Sequence, residues 1–349
     1  MRWNFHGLTI EGTWDAAPIG ERWLATFAPR VSSREDGSAR LDAAPASPRP
    51  QADTPPDLFF NLALAGEAPP SPSVAPDFQQ GQLLAYYIRG PEVTAHFPRF
   101  GQLQLNLAHG TTQGVITPAA LTTHGVFEDL LAIGLSPHLR RRGMFLIHAF
   151  AACPPEKDEG GRMKDEKNLP PSTFILHPSS FILVGDIGAG KTTTGLALLH
   201  AGWKLLSNDS PILKMDSDLK VLAYPGLLSA YPDSLARFPE LAQLNITPQS
   251  REKILFAAES IYPDVWRDSA PPAAIFFPQV ESRKDHALER LSAPEALQRI
   301  LPHAIEQWDR EMIPAHLALL NQLIQSVPAY RLRLGPEVEK IPAMIASVL

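Results

Sequence analysis

The chain has 349 residues, of which 44% are hydrophobic and 19% charged, with a formal net charge of -6 and a pI of about 6.0. That length suits one large domain or two ordinary ones, and that composition buries a core, which excludes wholesale disorder. The acidic balance argues against a nucleic-acid partner, and no apolar run reaches the length of a membrane span. The opening MRWNFHGLTIEGTW lacks the apolar core of a signal peptide, and the single cysteine, Cys153, cannot form an internal disulfide. A cytoplasmic location is therefore expected.

Residues 1–79 read as a β-rich, proline-rich front segment. The stretches 41–56 and 65–76 are rich in Pro, Ala and Ser, and proline fixes φ and removes a backbone donor, so loops are expected there. Residues 80–349 read as a second unit. Within it 83–89, 92–97 and 102–108 are short half-apolar runs separated by turn residues, the pattern of an antiparallel meander. Residues 126–142 predict a helix stopped by Gly143, with Arg140, Arg141 and Arg142 in its last turn. These cations either answer the helix C-terminus or form an anion-binding patch, and the first reading is the commoner one. A strand is expected at 144–152.

Residues 154–177 look inserted, and 154–171 of them are charged and aperiodic, as in a loop. The chain then repeats itself: 171–177 reads PSTFILH and 178–184 reads PSSFILV. The second copy leads into a glycine-rich loop, so it is the copy expected in the sheet. Residues 191–201 predict a helix stopped by Gly202, 203–206 a strand, and 212–214 with 221–223 a hairpin. A strand at 273–280 carries Pro278, which suggests an edge or a strand end. Helices are expected at 294–303 and 315–326, a strand at 330–334 and a closing helix at 336–348.

The chemistry concentrates in GDIGAGKT at 185–192, a full match to G-x-x-x-x-G-K-[ST]. Gly185, Gly188 and Gly190 let the backbone turn and approach phosphates, so that amides of Gly185, Asp186, Ile187, Gly188, Ala189, Gly190, Lys191, Thr192 and Thr193 can cradle them. Lys191 supplies positive charge, and the Thr192 hydroxyl is the expected magnesium ligand. The strand FILV before the loop and the apolar helix after it are the context this motif requires. ATP and Mg²⁺ are the expected cofactors. Phosphoryl transfer also needs a metal carboxylate and a group to orient the acceptor. Asp209, after the strand at 203–206, is the candidate carboxylate, though Asn-Asp-Ser-Pro is also good turn chemistry. His148, in the strand before the loop, is the candidate polar partner. No zinc spacing is present among the histidines.

Three segments resemble the HPr kinase/phosphorylase family and the related ATP-dependent phosphoenolpyruvate carboxykinases: LIHAF with His148, FILVGDIGAGKTTTGLALLHAGWKLLSND at 181–209, and a looser tail from 224–238 to 273–277. The resemblance implies an α/β fold, a P-loop-containing mixed β-sheet flanked by helices, behind a β-rich N-terminal part. Chain order agrees with a mixed sheet: without the insertion, 144–152 and 181–184 would be joined by a short turn and so be antiparallel neighbours. The resemblance also implies that Lys191 holds phosphate, that Thr192 and Asp209 serve the metal, and that Lys191, Asp209 and His148 lie at the active site. The family's paired aspartates are Asn208–Asp209 here, and its phosphorylase signature is absent. Two functions follow as expectations: a kinase moving the γ-phosphoryl of ATP to an unidentified hydroxyl acceptor (a peptide or protein serine, or a small metabolite), or an ATP-binding regulatory protein with little transfer. A homo-oligomer is compatible with either.

Overall fold

The computed structural model describes residues 1–27, 31–33, 39–41, 55–155, 179–244 and 252–349. Most of the expected insertion at 154–177, including the first PSxFIL copy, lies outside the described residues, as do positions 42–54 of the first proline-rich stretch.

The N-terminal part is an eight-stranded sheet in the spatial order Arg2–Phe5, Leu8–Trp14, Leu58–Leu64, Thr111–Ile116, Gly101–Asn106, Glu92–Phe97, Leu84–Arg89, Phe78–Gln80. The expected meander supplies three of its last four strands, Gly101–Asn106, Glu92–Phe97 and Leu84–Arg89. Leu58–Leu64 runs parallel to both its neighbours. Alternation sets the faces: Leu103 and Leu105 are buried while Gln104 between them is exposed. Helices α1 (Ala17–Phe27), α2 (Pro118–Thr122) and α3 (Val126–Arg140) pack against this sheet in one core built around Trp23, Phe60, Leu103, Phe127 and Leu131. Strands from both sides of residue 80 share the sheet, and Phe78–Gln80 spans that position.

The expected single strand at 144–152 is two. Met144–Leu146 pairs with Ile212–Met215 in a four-stranded antiparallel sheet, whereas Ala149–Cys153 joins a different, six-stranded sheet. The break falls at Ile147 and His148, whose amides turn away to Pro211 O (3.1 Å) and His303 O (2.7 Å). An uninterrupted apolar run hides such a break, because hydrophobicity does not say which sheet each residue joins.

The six-stranded sheet has the order Lys204–Ser207, Ala149–Cys153, Ser180–Val184, Pro272–Val280, Ala329–Leu334, Ala287–Leu291. It is mixed. Ala149–Cys153 is antiparallel to both Ser180–Val184 and Lys204–Ser207, while Ser180–Val184, Pro272–Val280 and Ala329–Leu334 run parallel. Successive side chains serve opposite faces. Ile182, Val184 and Ile275 pack toward α6 (Ala293–Ile300) and α7 (Ile313–Ser326). Phe181, Leu183 and Phe276 pack toward α4 (Lys191–His200) and α8 (Ile341–Ala346), with α5 (Pro232–Leu235) beside them. Pro278 is not on an edge. It lies in a central strand, beyond the last residue paired with Ser180–Val184, where no ladder bond is needed from its nitrogen. The closing helix is shorter than expected, a 3₁₀ turn at Val338–Lys340 followed by α8, whose second residue is Pro342. No described helix is long and apolar enough to cross a membrane.

Candidate active site

The second PSxFIL copy ends in the buried strand Ser180–Val184, and residues 185–190 connect it directly to α4. Gly188 and Gly190 take φ of +83° and +103°, a region that side-chain-bearing residues rarely occupy. At Gly190 a Cβ would also stand 2.6 Å from Leu334 Cδ1 and 3.2 Å from Val280 Cγ2. The loop therefore rests on the ends of two parallel strands. Its tip faces outward: Ile187 is 89% exposed, although it is a large apolar residue.

Lys191 folds back over the loop, donating to Gly185 O and, at 3.3 Å, to Asp186 O. Its Nζ also lies 3.3 Å from His148 Nε2. On its other side, His148 Nδ1 lies 3.3 Å from Asp209 Oδ1. Burial holds the Lys191 ammonium below its usual pKa, opposed by the nearby carboxylates of Asp209 and Asp186. Three residues expected at the site thus form one chain, Lys191–His148–Asp209. The bond from Ala149 N to Asp209 O (2.9 Å) ties the start of the strand Ala149–Cys153 to the turn that carries Asp209. Thr192 opens the helix beside Lys191, and Thr193 Oγ1 is 3.1 Å from Ser234 Oγ. Asn208 donates to Leu227 O at 3.4 Å, so its amide is occupied with backbone.

Three further residues come to this place from distant sequence. His303 ring-stacks with His148 at 6.1 Å, and its Nε2 is 3.6 Å from Asp186 Oδ1; burial lowers its pKa. Lys253, whose Nζ lies 5.4 Å from the centre of the Tyr231 ring, adds a second positive charge within electrostatic reach of Lys191. Asp129, on α3, faces the site from the other side. Asp129 is exposed along a cleft, yet the protein crowding it is the main cause that pushes its carboxyl up to about 6, with the Asp209 charge second. No local signal in the sequence marks these three. They meet the loop through tertiary structure alone.

His148 and Asp209 line one wall of a cleft of about 590 Å³. Its other walls are the strands at 78–86, Phe97, Phe100, the α3 face carrying Asp129, Ile133, Ser136 and Arg140, and the segment 302–307. The cleft is large enough for a small organic ligand, and its wall at His148 and Asp209 touches Lys191 of the glycine-rich loop through His148.

No family model matches the chain, and no curated protein matches it. Among solved structures it is similar to the HPr(Ser) kinase/phosphatase from Coxiella burnetii, with a TM-score of 0.27 and 10% identity, over 58% of this chain and 92% of that one. A likeness of that size carries no argument about what this chain does.

Proposed function

We propose that this chain is a kinase that moves the γ-phosphoryl group of ATP to a hydroxyl acceptor bound in the cleft. The observation that carries this reading is the chain Lys191–His148–Asp209, which links the glycine-rich loop to the cleft wall. In the reading, the loop amides and Lys191 hold the phosphates at the N-terminus of α4. Thr192 and Asp209 offer hard oxygen donors, which suit Mg²⁺; bound there, the ion would neutralise charge on the β- and γ-phosphates.

Asp209 Oδ1 faces His148 Nδ1, so a proton on Nδ1 leaves Nε2 as the acceptor nitrogen. When Lys191 moves to phosphate, His148 Nε2 is free to take the proton of the incoming hydroxyl. The hydroxyl oxygen bonds to the γ-phosphorus, the bond to the β–γ bridging oxygen breaks, and ADP leaves. An oriented imidazole thereby does what Asn208 cannot. The loose transition state of phosphoryl transfer asks little of this base.

The test is single-turnover transfer from labelled ATP, read by mass spectrometry on hydroxyl-bearing acceptors, with free phosphate measured in parallel. Transfer to an acceptor supports the kinase. A second reading, an ATP-binding regulator, is favoured by Asn208, whose amide cannot accept a proton at neutral pH and is engaged with Leu227 O. It predicts Mg-ATP binding with no transfer to any acceptor.

A further inference from the structure

The three arginines at the end of α3 have different fates. Arg141 donates to Pro137 O (3.1 Å) and Arg142 to His138 O (3.1 Å), so these two answer the carbonyls of the helix end. Arg140 does not. Its side chain is 3% exposed and lines the cleft, at the far end of the helix face that carries Asp129. Asp309, equally buried, receives Arg140 Nε at 2.8 Å and also both Nη atoms of Arg141, at 3.0 and 3.1 Å. One buried carboxylate is therefore shared by two guanidiniums. The other acid on Arg141, Glu311, is 80% exposed and compensates weakly. Arg140 Nη1 reaches only the Ser136 hydroxyl, at 3.3 Å, and Nη2 has no hydrogen-bond partner, while the guanidinium carbon stands 5.4 Å from the centre of the Trp308 ring. A buried guanidinium nitrogen without an acceptor is costly and calls for an anion.

We propose that this cleft binds an elongated organic acid, with its carboxylate on Arg140 Nη2 and the Ser136 hydroxyl and its apolar body against Leu84, Phe97, Phe100 and Ile133. Phosphate is the poorer match, since a single free Nη and one hydroxyl suit the two oxygens of a carboxylate. Asp129 and Arg140 lie 11 residues apart on one helix, roughly 16 Å of rise, shortened by the lean of the arginine toward the helix N-terminus. A ligand that spans this distance carries its carboxylate at one end and reaches Asp209 and His148 with the other. That the far end is the phosphorylated hydroxyl rests on the kinase reading; that the cleft holds the acid does not.

The probe is 10-hydroxydecanoate, set against its amide, with calorimetry on the full chain. A tetrapeptide, Ser-Phe-Gly-Phe, with a free or an amidated C-terminus tests whether a peptide carboxylate serves as well. The acid is expected to bind roughly tenfold or more tightly than its amide, the worth of a charged hydrogen bond. In Arg140→Gln that preference disappears, while Mg-ATP affinity is unchanged. Arg140→Gln disturbs a buried ion pair, so Ser136→Ala is the second variant; it is expected to weaken acid binding several-fold and leave amide binding alone. Equal binding of acid and amide, no binding of either acid, or an acid preference that survives both substitutions overturns the proposal. Loss of Mg-ATP binding in the wild type with the acid preference intact would remove the kinase reading and leave this site standing.

Discussion

Lys191 Nζ lies 3.3 Å from His148 Nε2, a contact made across 43 positions of sequence. Lys191 is otherwise held by carbonyls of its own loop and packs into none of the hydrophobic cores. Lys191→Ala is therefore expected to leave the melting temperature within a few degrees of wild type. It should weaken Mg-ATP binding roughly 10- to 100-fold, the worth of a charge-assisted hydrogen bond. Titration calorimetry of both proteins gives the number, and equal affinities would remove phosphate from this loop.

His148 separates binding from chemistry. His148→Gln should keep Mg-ATP affinity and lower the transfer rate roughly 10²–10⁴-fold, the usual range for losing a positioned base. Rapid-quench turnover on the two proteins decides it. An unchanged rate would mean that the imidazole only braces Asp209.

Asp209→Asn removes the carboxylate that faces His148 Nδ1, and transfer should fall below detection. Asn208→Asp should preserve or raise it, by less than a full base contribution, because His148 already occupies that role. If the wild type transfers nothing and Asn208→Asp creates activity, the regulatory reading is the correct one.

Asp309 is the shared counter-ion of Arg140 and Arg141. Asp309→Ala leaves two guanidiniums without it, one of them fully buried, and should destabilise the fold by about 3–5 kcal/mol. Urea unfolding measures it. A loss under about 1 kcal/mol would show that solvent reaches Arg140 freely.

Two buried histidines predict an acid-sensitive fold. Burial first, then the charges of Arg142, Arg141 and Arg140, lowers His138 to about 4 against a pull upward from the Thr111 backbone. Its Nε2 is 3.0 Å from Thr112 Oγ1. Burial, then Arg140, lowers His316 to about 4 on the face of Phe145. A depressed folded pKa contributes stability that is present above the unfolded value of 6.5 and lost as pH falls toward 4. Each is worth on the order of 3 kcal/mol over that window. The urea midpoint should drop from pH 7 to pH 4.5, and His138→Gln should flatten the slope. An identical slope in the variant would clear His138.

The strand–loop–helix unit is legible in the sequence, because glycine spacing and flanking apolar runs are local. The expected antiparallel pairing of 144–152 with 181–184 holds for Ala149–Ala152 against Phe181–Val184. The break at His148 was not legible, since Ile147 and Ala149 are both apolar and the amides of Ile147 and His148 find their partners, the Pro211 and His303 carbonyls, only in the folded chain. Asp129 and His303 had no local mark, and their place beside the loop follows from how α3 and the segment 302–307 pack. The arginine run was legible as chemistry, but not that one of the three would turn inward while two capped the helix.

The sharing of one sheet by strands before and after residue 80 bears on how the protein can be dissected. A fragment starting there would lose Arg2–Phe5, Leu8–Trp14 and Leu58–Leu64 together. Thr111–Ile116 would then present a bare row of amides and carbonyls along six residues, the kind of edge on which chains stack into aggregates. Shortened versions that begin at residue 80 should precipitate when expressed, whatever the state of the glycine-rich loop.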